Sequence, residues 1–484
     1  MNPTFREDDS SQVPALLLLQ RLGYTYLSPA EALVLRGGKT SGVLLEGILR
    51  QQLHRLNAFR YKDRSYPFSE TNVSNAIYAL QDYPLQEGYL AANQHLYNLF
   101  TLGKSFEENV LGDKKSHTLR YIDWQYPANN IFHVTEELSV QRLNCADGTA
   151  TSHYRPDVVL YVNGIPLVVI ECKSPKIDKP LAQAISQHLR NQNEDGIRGL
   201  YVYAQLCMAL VENTAQYATN ATKEEFWGAW REQYANRQAE ENQKATLQVL
   251  KNKSMNEAVY RKNLRRNPDR KYATFPLGAG ELGLWSLSAQ DELLYNTCRP
   301  ERLFDLIFNF TIYDAGAKII ARYQQYFGVR KTLDRLKVSP ADGEARAGGV
   351  IWHTQGSGKS YTMVMLAQLL ASEKTILNSK IILVTDRVEL DDQIYQTFKK
   401  CDKEVVQAKT GNELIEYLSQ SSDAVVTTLI NKFDAAFKKQ TEPLKAPNVF
   451  VLVDEGHRTQ YGTLNVKMRR MLPTACFIAF TGSP

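Results

Sequence analysis

The sequence predicts an α/β protein in two parts, a mixed α/β domain followed by a doubly wound parallel sheet. Three observations carry this reading. Apolar, β-branched runs crowd into residues 130–204 after a helical beginning. From residue 348 onward five short β-branched runs, VIWH, IILVT, AVVTT, VFVLV and CFIAF, alternate with helical stretches, the pattern of a parallel sheet covered by helices. A chain of 484 residues is also too long for one core.

The expected divisions are a first domain over 1–237, a linker or helical connection with a basic run over 238–300 and a second domain over 301–484. Up to residue 130 the pattern is mixed helix, as in GVLLEGILRQQLHRL at 42–56, where apolar residues recur at helical spacing. Strand character follows in IFHVTEELSV, VVLYVNGIPLVVIECK and GLYVYAQ. Residues 238–272 lose apolar periodicity and end in the basic run RKNLRRNPDRK, which reads as a solvated linker or helix end before it reads as a phosphate-contacting patch. Helical pattern resumes from about residue 302.

Bulk composition narrows the class. The hydrophobic fraction of 43% and charged fraction of 23% are those of an ordinary globular protein, and a net charge of +5 permits a nucleic-acid partner without arguing for one. The six cysteines are scattered with no C-x-x-C pair, so neither a disulfide framework nor a zinc site is expected, and the cytoplasm is the expected location. The polar start MNPTFREDDSSQ and the short apolar run at 15–19 give no sign of secretion or of a membrane span.

WHTQGSGKS at 352–360 follows one strand and opens a helix, the setting a phosphate-binding loop requires. Backbone N–H groups around Gly356, Ser357 and Gly358 can approach phosphates, and the helix N-terminus adds partial positive charge. Lys359 then reaches the β- and γ-phosphates of ATP, and the Ser360 hydroxyl holds Mg²⁺. His353 stands where the pattern G-x-x-x-x-G-K-[ST] has its first glycine. The competing reading is a Gly-rich turn that merely caps a helix. A second segment, VLVDEGH at 451–457, ends an apolar strand in two carboxylates, where open α/β sheets place ligands. Asp454 is the expected Mg²⁺ ligand, and Glu455 is expected to orient and deprotonate the attacking water.

DEGH is similar to the D-E-x-H box of superfamily-2 helicases and translocases. VTDRVELDDQ at 384–393, TTLINKF at 427–433 and FTGSP at 480–484 resemble other motifs of that group, in the group's order. The resemblance implies a RecA-like first motor domain, with a second motor domain expected but absent before residue 484, so negligible ATPase activity is expected of this chain alone. RYQQYFGV at 322–329 resembles the group's Q-Y signature, which makes Gln325 a candidate adenine reader.

RPDVVLYVNGIPLVVIECK at 155–173 places P-D thirteen residues before E-x-K. Phosphodiester cleavage needs a metal held by carboxylates, with a lysine to stabilise charge or help deprotonate water. Asp157 and Glu171 are the candidate ligands and Lys173 the candidate base or stabiliser. Glu171 and Lys173 share a strand face. Asp157 joins them only if the hairpin turns correctly: a two-residue Asn163-Gly164 turn in unbroken register points it away, so a three-residue loop over 162–164 is expected. A charged hairpin face is the alternative reading. His153 lacks a partner at metal-ligand spacing and reads as a hydrogen-bonded surface histidine. Glu46 is a weaker candidate for a further carboxylate.

The whole stretch closely resembles the PD-(D/E)xK nuclease signature of type I restriction enzyme R subunits, in which a helix with Q-x-x-x-Y follows the E-x-K strand. Gln187 matches that glutamine and is implied as a catalytic residue; Asn191 stands in place of the tyrosine. IDW…NNIFHV at 122–134 and EEFWGAW at 224–230 extend the likeness. The resemblance implies an ATP-driven translocase and Mg²⁺-dependent endonuclease acting on double-stranded DNA with methylase (M) and specificity (S) subunits. Another helicase–nuclease fusion, or an inactive DNA-binding remnant, remains the alternative.

Overall fold

In a computed structural model, the residues described are 8–143, 152–253, 286–314, 316–338, 346–354, 356–376, 379–385, 404–419, 424–429, 443, 448–454, 466 and 469–482. The chain divides into two compact units, Met1–Phe308 with Gly316–Ile320, and Asn309–Ala315 with Ala321–Pro484.

The first unit is built on a six-stranded sheet whose strands lie side by side in chain order: β1 (Thr25–Leu27), β2 (Phe132–Glu136), β3 (Val158–Val162), β4 (Ile165–Cys172), β5 (Leu206–Val211) and β6 (Thr214–Ala218). β1 with β2 and β4 with β5 pair parallel; the other neighbours pair antiparallel. Every residue of β3 and β4 is buried. That is why VVLYV and IPLVVIEC read as continuous apolar runs rather than alternating ones.

Around the sheet lie α1 (Val13–Arg21), α2 (Glu46–Leu56) and α3 (Pro180–Asn191), the last packed on β4 and β5. Buried His188 of α3 fixes that packing: its Nε2 is 2.8 Å from the Met208 carbonyl of β5, and its Nδ1 is 2.9 Å from the Tyr201 hydroxyl. GLYVYAQ proves not to be a strand. Arg198–Tyr201 is a helical turn, and the strand begins after it at Leu206.

The region expected to lose periodicity contains a full helix, α4 (Arg237–Asn252), in which Leu247 alone is buried. Helix formation there rests on local devices: the Asn236 side chain caps the Ala239 N–H at 2.9 Å, and Arg237–Glu241 and Lys244–Glu240 pair one turn apart. Lys251 anchors its end to Asp291 of α5 (Ala289–Cys298), which leads into α6 (Pro300–Phe308). The basic run at 261–271 lies outside the described residues.

The hairpin between β3 and β4 differs from the expected one. Asn163 and Gly164 both take positive φ, 50° and 85°, as a two-residue turn with Val162 paired to Ile165 requires. Pro166 pairs with Tyr161, but Val168 pairs with Leu160, so Leu167 is an extra residue, a β-bulge. Proline has no N–H for the ladder and is tolerated in sheets at such irregularities. The Leu167 carbonyl instead accepts the Gln205 N–H at 2.7 Å. Beyond the bulge Val158 pairs with Ile170, and the same register carried one step further sets Asp157 opposite Glu171. The carboxylates share a face through a bulge, not through a longer loop.

The second unit holds six parallel strands, β7 (Gly349–Trp352), β8 (Lys380–Thr385), β9 (Glu404–Gln407), β10 (Ala424–Leu429), β11 (Val449–Val453) and β12 (Cys476–Thr481), in the spatial order β7-β12-β11-β8-β10-β9. The five runs anticipated from sequence are all strands; β9, only four residues long, was too short to signal itself. Helix α7 (Tyr323–Lys337) packs against α8 (Lys359–Ser372), in which every residue from Thr362 to Ala371 is buried. A third helix, α9 (Gly411–Ser419), packs on β10. Among the described residues no helix is long and apolar enough to cross a membrane.

Two stability tests follow. A Cβ on Gly164 would lie 2.7 Å from the Leu45 carbonyl in a backbone at φ +85°. Gly164→Ala should therefore cost the first unit about 2 kcal/mol, read as an earlier urea midpoint by tryptophan fluorescence; an unchanged midpoint would contradict this. Burial pushes His188 down to about 4, against about 6.5 in the unfolded chain. Folded His188 stays neutral while the unfolded form gains a proton, so this contribution is complete above pH 6.5 and is lost as pH falls toward 4. The full loss is about 3 kcal/mol. His188→Gln should flatten the fall in urea midpoint between pH 7 and pH 5, and parallel pH profiles for the two proteins would refute the linkage.

Candidate functional site

Two clusters form, one in each unit. In the first, Asp157 precedes β3 and is fixed through its backbone carbonyl, which accepts the Gln12 amide at 2.9 Å and the Glu137 N–H at 3.1 Å. Its side-chain Oδ2 accepts the Cys172 N–H at 2.6 Å and lies 3.6 Å from Lys173 Nζ. Lys173 also donates to the Cys172 carbonyl at 2.8 Å. Glu171, on the last turn of pleat in β4, is fully buried. Both its oxygens accept amide N–H groups from α3: Gln187 Nε2 reaches Oε2 at 2.6 Å, and Asn191 Nδ2 reaches Oε1 at 3.1 Å. Gln187 and Asn191 are one helical turn apart, so one face of α3 holds both oxygens.

Burial raises the Glu171 carboxyl well above the ordinary range, and the facing Asp157 raises it further against the opposing pull of Lys173. Two carboxylates on one strand face, with Lys173 3.6 Å from Asp157, suit a hard divalent cation with a preference for oxygen. Asp157 and Glu171 fit Mg²⁺ in that sense. No cluster of three or more His, Cys, Asp or Glu side chains suited to a metal occurs among the described residues.

The other candidates near this cluster separate cleanly. His153 is 2.9 Å from Thr40 Oγ1 and 2.7 Å from Ser152 Oγ, a hydrogen-bonded surface histidine. Glu46 accepts the Gln81 amide at 2.7 Å on the exposed start of α2, where Leu45 N–H meets the Gly164 carbonyl at the hairpin turn. That is the opposite end of β4 from Glu171, so Glu46 does not join the carboxylates. Gln12 supports the site through the Asp157 carbonyl, and no motif marks it.

In the second unit the loop after β7 leads into α8 through Gly358, whose φ of +83° is left-handed. Gly356 is also at positive φ, +74°. His353 is tied to β12 by its N–H on the Thr481 carbonyl at 2.9 Å, and its ring Nδ1 is 3.3 Å from Ser357 Oγ. Burial, and then Lys359, lower the pKa of the imidazole in the first-glycine position. Lys359 Nζ lies 3.4 Å from Asp454 Oδ1, and Ser360 Oγ donates to Asp454 Oδ2 at 3.2 Å. Asp454 follows the end of β11 and is 5% exposed, placing a carboxylate, a lysine and a hydroxyl at the carboxyl edge of the sheet. Gln325 of α7 donates to the Gly358 carbonyl at 3.1 Å and to Thr362 Oγ1 at 3.2 Å, and accepts the Arg322 N–H at 2.9 Å. Its amide is thus engaged with the loop itself. Glu455, His457 and most of the later helicase-like segments lie outside the described residues.

Comparison with known proteins matches residues 4–226 to the type I restriction enzyme R protein N-terminus family and residues 324–484 to the SWI2/SNF2 ATPase family. The HindI type I restriction enzyme endonuclease subunit of Haemophilus influenzae is 28% identical over 508 residues, covering 99% of this chain and 42% of that protein. A Methanocaldococcus jannaschii protein named for a type I restriction endonuclease subunit, MjaIXP, is 26% identical over 487 residues, with the same two coverages of 99% and 42%. The chain thus spans about two fifths of the length of the curated relatives it matches. A solved nuclease-deletion mutant of the Type ISP restriction-modification enzyme LlaGI with a DNA substrate mimic aligns over 34% of this chain and 17% of that one, at 14% identity and a TM-score of 0.25, too slight a likeness to add weight. With both family models matched in this order, and relatives of one kind along nearly its whole length, the chain is similar throughout to type I restriction enzyme R subunits.

Proposed function

We propose that this chain supplies the DNA-cutting centre and the first ATP-binding domain of a restriction motor, acting in the cytoplasm on double-stranded DNA with methylase and specificity subunits. The observation that carries the nuclease reading is the convergence of Asp157, Glu171 and Lys173 on one face of the β3–β4 edge. Asp157 and Glu171 are the residues to hold Mg²⁺. When bound, that ion supplies an activated water and neutralises charge on the phosphate. Lys173, kept beside Asp157, adds positive charge where the phosphate gains negative charge. Gln187 holds one oxygen of Glu171, so the carboxylate presents a fixed edge to the cation.

In the second domain Gly356, Ser357 and Gly358 shape the cradle for the ATP phosphates, Lys359 reaches them, and Ser360 with Asp454 holds the accompanying Mg²⁺. Lys359 and Ser360 already converge on Asp454, so nucleotide entry exchanges contacts within a preformed group. Glu455 is the proposed activator of the attacking water. Gln325 acts on ATP through the loop it grips, with its adenine-reading role a second use of the same amide. The boundaries proposed for these parts remain 1–237, 238–300 and 301–484.

The two sites should fail separately. In a complex reconstituted with methylase and specificity subunits, Asp157→Ala should abolish Mg²⁺-dependent cutting and spare ATP hydrolysis, whereas Lys359→Ala should abolish both. Intact cutting by the Asp157→Ala protein would sink the nuclease assignment.

A further inference from the structure

Two arginines share one tyrosine ring beside the Asp157–Glu171 cluster, and the packing that fixes them runs outward from the backbone. Val140 pairs with Tyr154 and Gln141 with His153 in a short antiparallel ladder, which the Arg142 N–H continues on the Ser152 carbonyl at 2.8 Å. Arg142 thus stands opposite Ser152 and shares a side of the ladder with Tyr154, two residues further on. Its guanidinium lies over the Tyr154 ring, 4.5 Å from the centroid. Asp195 ties it there: Nε donates to the Asp195 carbonyl at 2.8 Å and Nη2 to the carboxylate at 2.7 Å. Arg190 of α3 lies over the same ring, 4.6 Å from its centroid. It comes three residues after Gln187 on the face of α3 that grips Glu171. Arg190 Nη2 donates to Asn191 Oδ1 at 3.3 Å, while the other end of that amide donates to Glu171 Oε1 at 3.1 Å. Two hydrogen bonds across a single amide keep the Arg190 guanidinium within about 9 Å of the Glu171 carboxylate. Arg190 is exposed, and no carboxylate pairs with it among the described residues.

We propose that Arg190, laid on the Tyr154 ring, binds a backbone phosphate of DNA next to the one cut at Asp157 and Glu171. A ring against the face of a guanidinium leaves its N–H edge for an anion, and that planar fork of donors matches phosphate oxygens. The charge of Arg142 is already matched by Asp195, so Arg142 serves to hold the ring and Arg190 is the arm that meets the ligand. A side chain held still before binding loses less freedom on binding. The Asn191 amide stands between Arg190 and Glu171, which places the bound phosphate beside the scissile one along the strand. Such a contact sets the register of the strand at the cutting centre without reading bases. The site rests on the nuclease reading, because the cut defines which phosphate it flanks.

The test is binding of a short fluorescein-labelled DNA duplex to the full chain, followed by anisotropy without Mg²⁺ or ATP at a series of salt concentrations. Arg190→Ala should weaken binding about tenfold at low salt and flatten the slope of log K against log salt by about one, as the loss of one phosphate contact requires. Arg190→Lys keeps the charge and should restore the slope. Tyr154→Leu removes the ring but no charge, and should weaken binding about threefold with the slope unchanged; full binding by that variant would overturn the role of the ring. Unchanged affinity in Arg190→Ala, or a loss of affinity without a change of slope, would overturn the phosphate contact. A parent chain that does not bind the duplex would overturn it too. In each of these cases the nuclease reading stands if Asp157→Ala still abolishes cutting in the reconstituted complex. Normal cutting by the Asp157→Ala protein would overturn both.

Discussion

Pro166 cannot donate to the β3–β4 ladder, and the way β4 absorbs that gap governs the first site. The strand gains one residue at Leu167, the Leu167 carbonyl turns to Gln205 on the other side, and the register moves by one. Because side chains alternate with a period of two, a one-residue shift exchanges the faces of every residue beyond it. Without the bulge Asp157 would stand opposite Ile170 and point away from Glu171. With it, two carboxylates and a lysine share a face at one end of β3 and β4, two strands that are otherwise apolar. Burying those charges has a cost that Lys173 beside Asp157 and the Gln187 and Asn191 amides on Glu171 offset in part, and that a bound cation would offset further.

The second unit solves its problem by the ordinary geometry of a parallel sheet. All six strands run the same way, so their carboxyl ends and the following loops gather on one edge. Lys359, Ser360 and Asp454 meet there from segments far apart in sequence. The left-handed turn at Gly358 lets the helix start abruptly, and a Cβ there would come within 2.8 Å of Gln325. Gln325 and Gly358 are thus matched to each other: the glycine leaves room for the amide, and the amide closes the first turn of α8.

Much of this was legible from residue types and spacing. The five apolar runs of the second unit announced a parallel sheet because buried parallel strands need no polar alternation. The phosphate loop was legible because few other uses explain a glycine-rich strand-to-helix turn ending in Lys-Ser. What escaped were features decided by tertiary contact. The hairpin was misread as a three-residue loop because face-sharing can be restored by either a longer turn or a bulge, and Pro166 was the sign that favoured the bulge. GLYVYAQ has strand composition, yet Tyr201 is placed on a helical turn to meet His188. Helix α4 falls within the expected linker or helical connection, but its extent escaped because it buries a single leucine and depends on caps and surface pairs. Asn191 departs from the Q-x-x-x-Y pattern, and its amide takes up Glu171.

The most direct measurement is diffraction from a crystal of this chain grown with Mn²⁺, recorded for the anomalous signal of the metal. The account predicts one strong peak between the Asp157 and Glu171 carboxylates, with Leu167 bulged out of the β3–β4 register. A metal bound elsewhere, or an unbroken ladder with Asp157 turned to the opposite face, would contradict it.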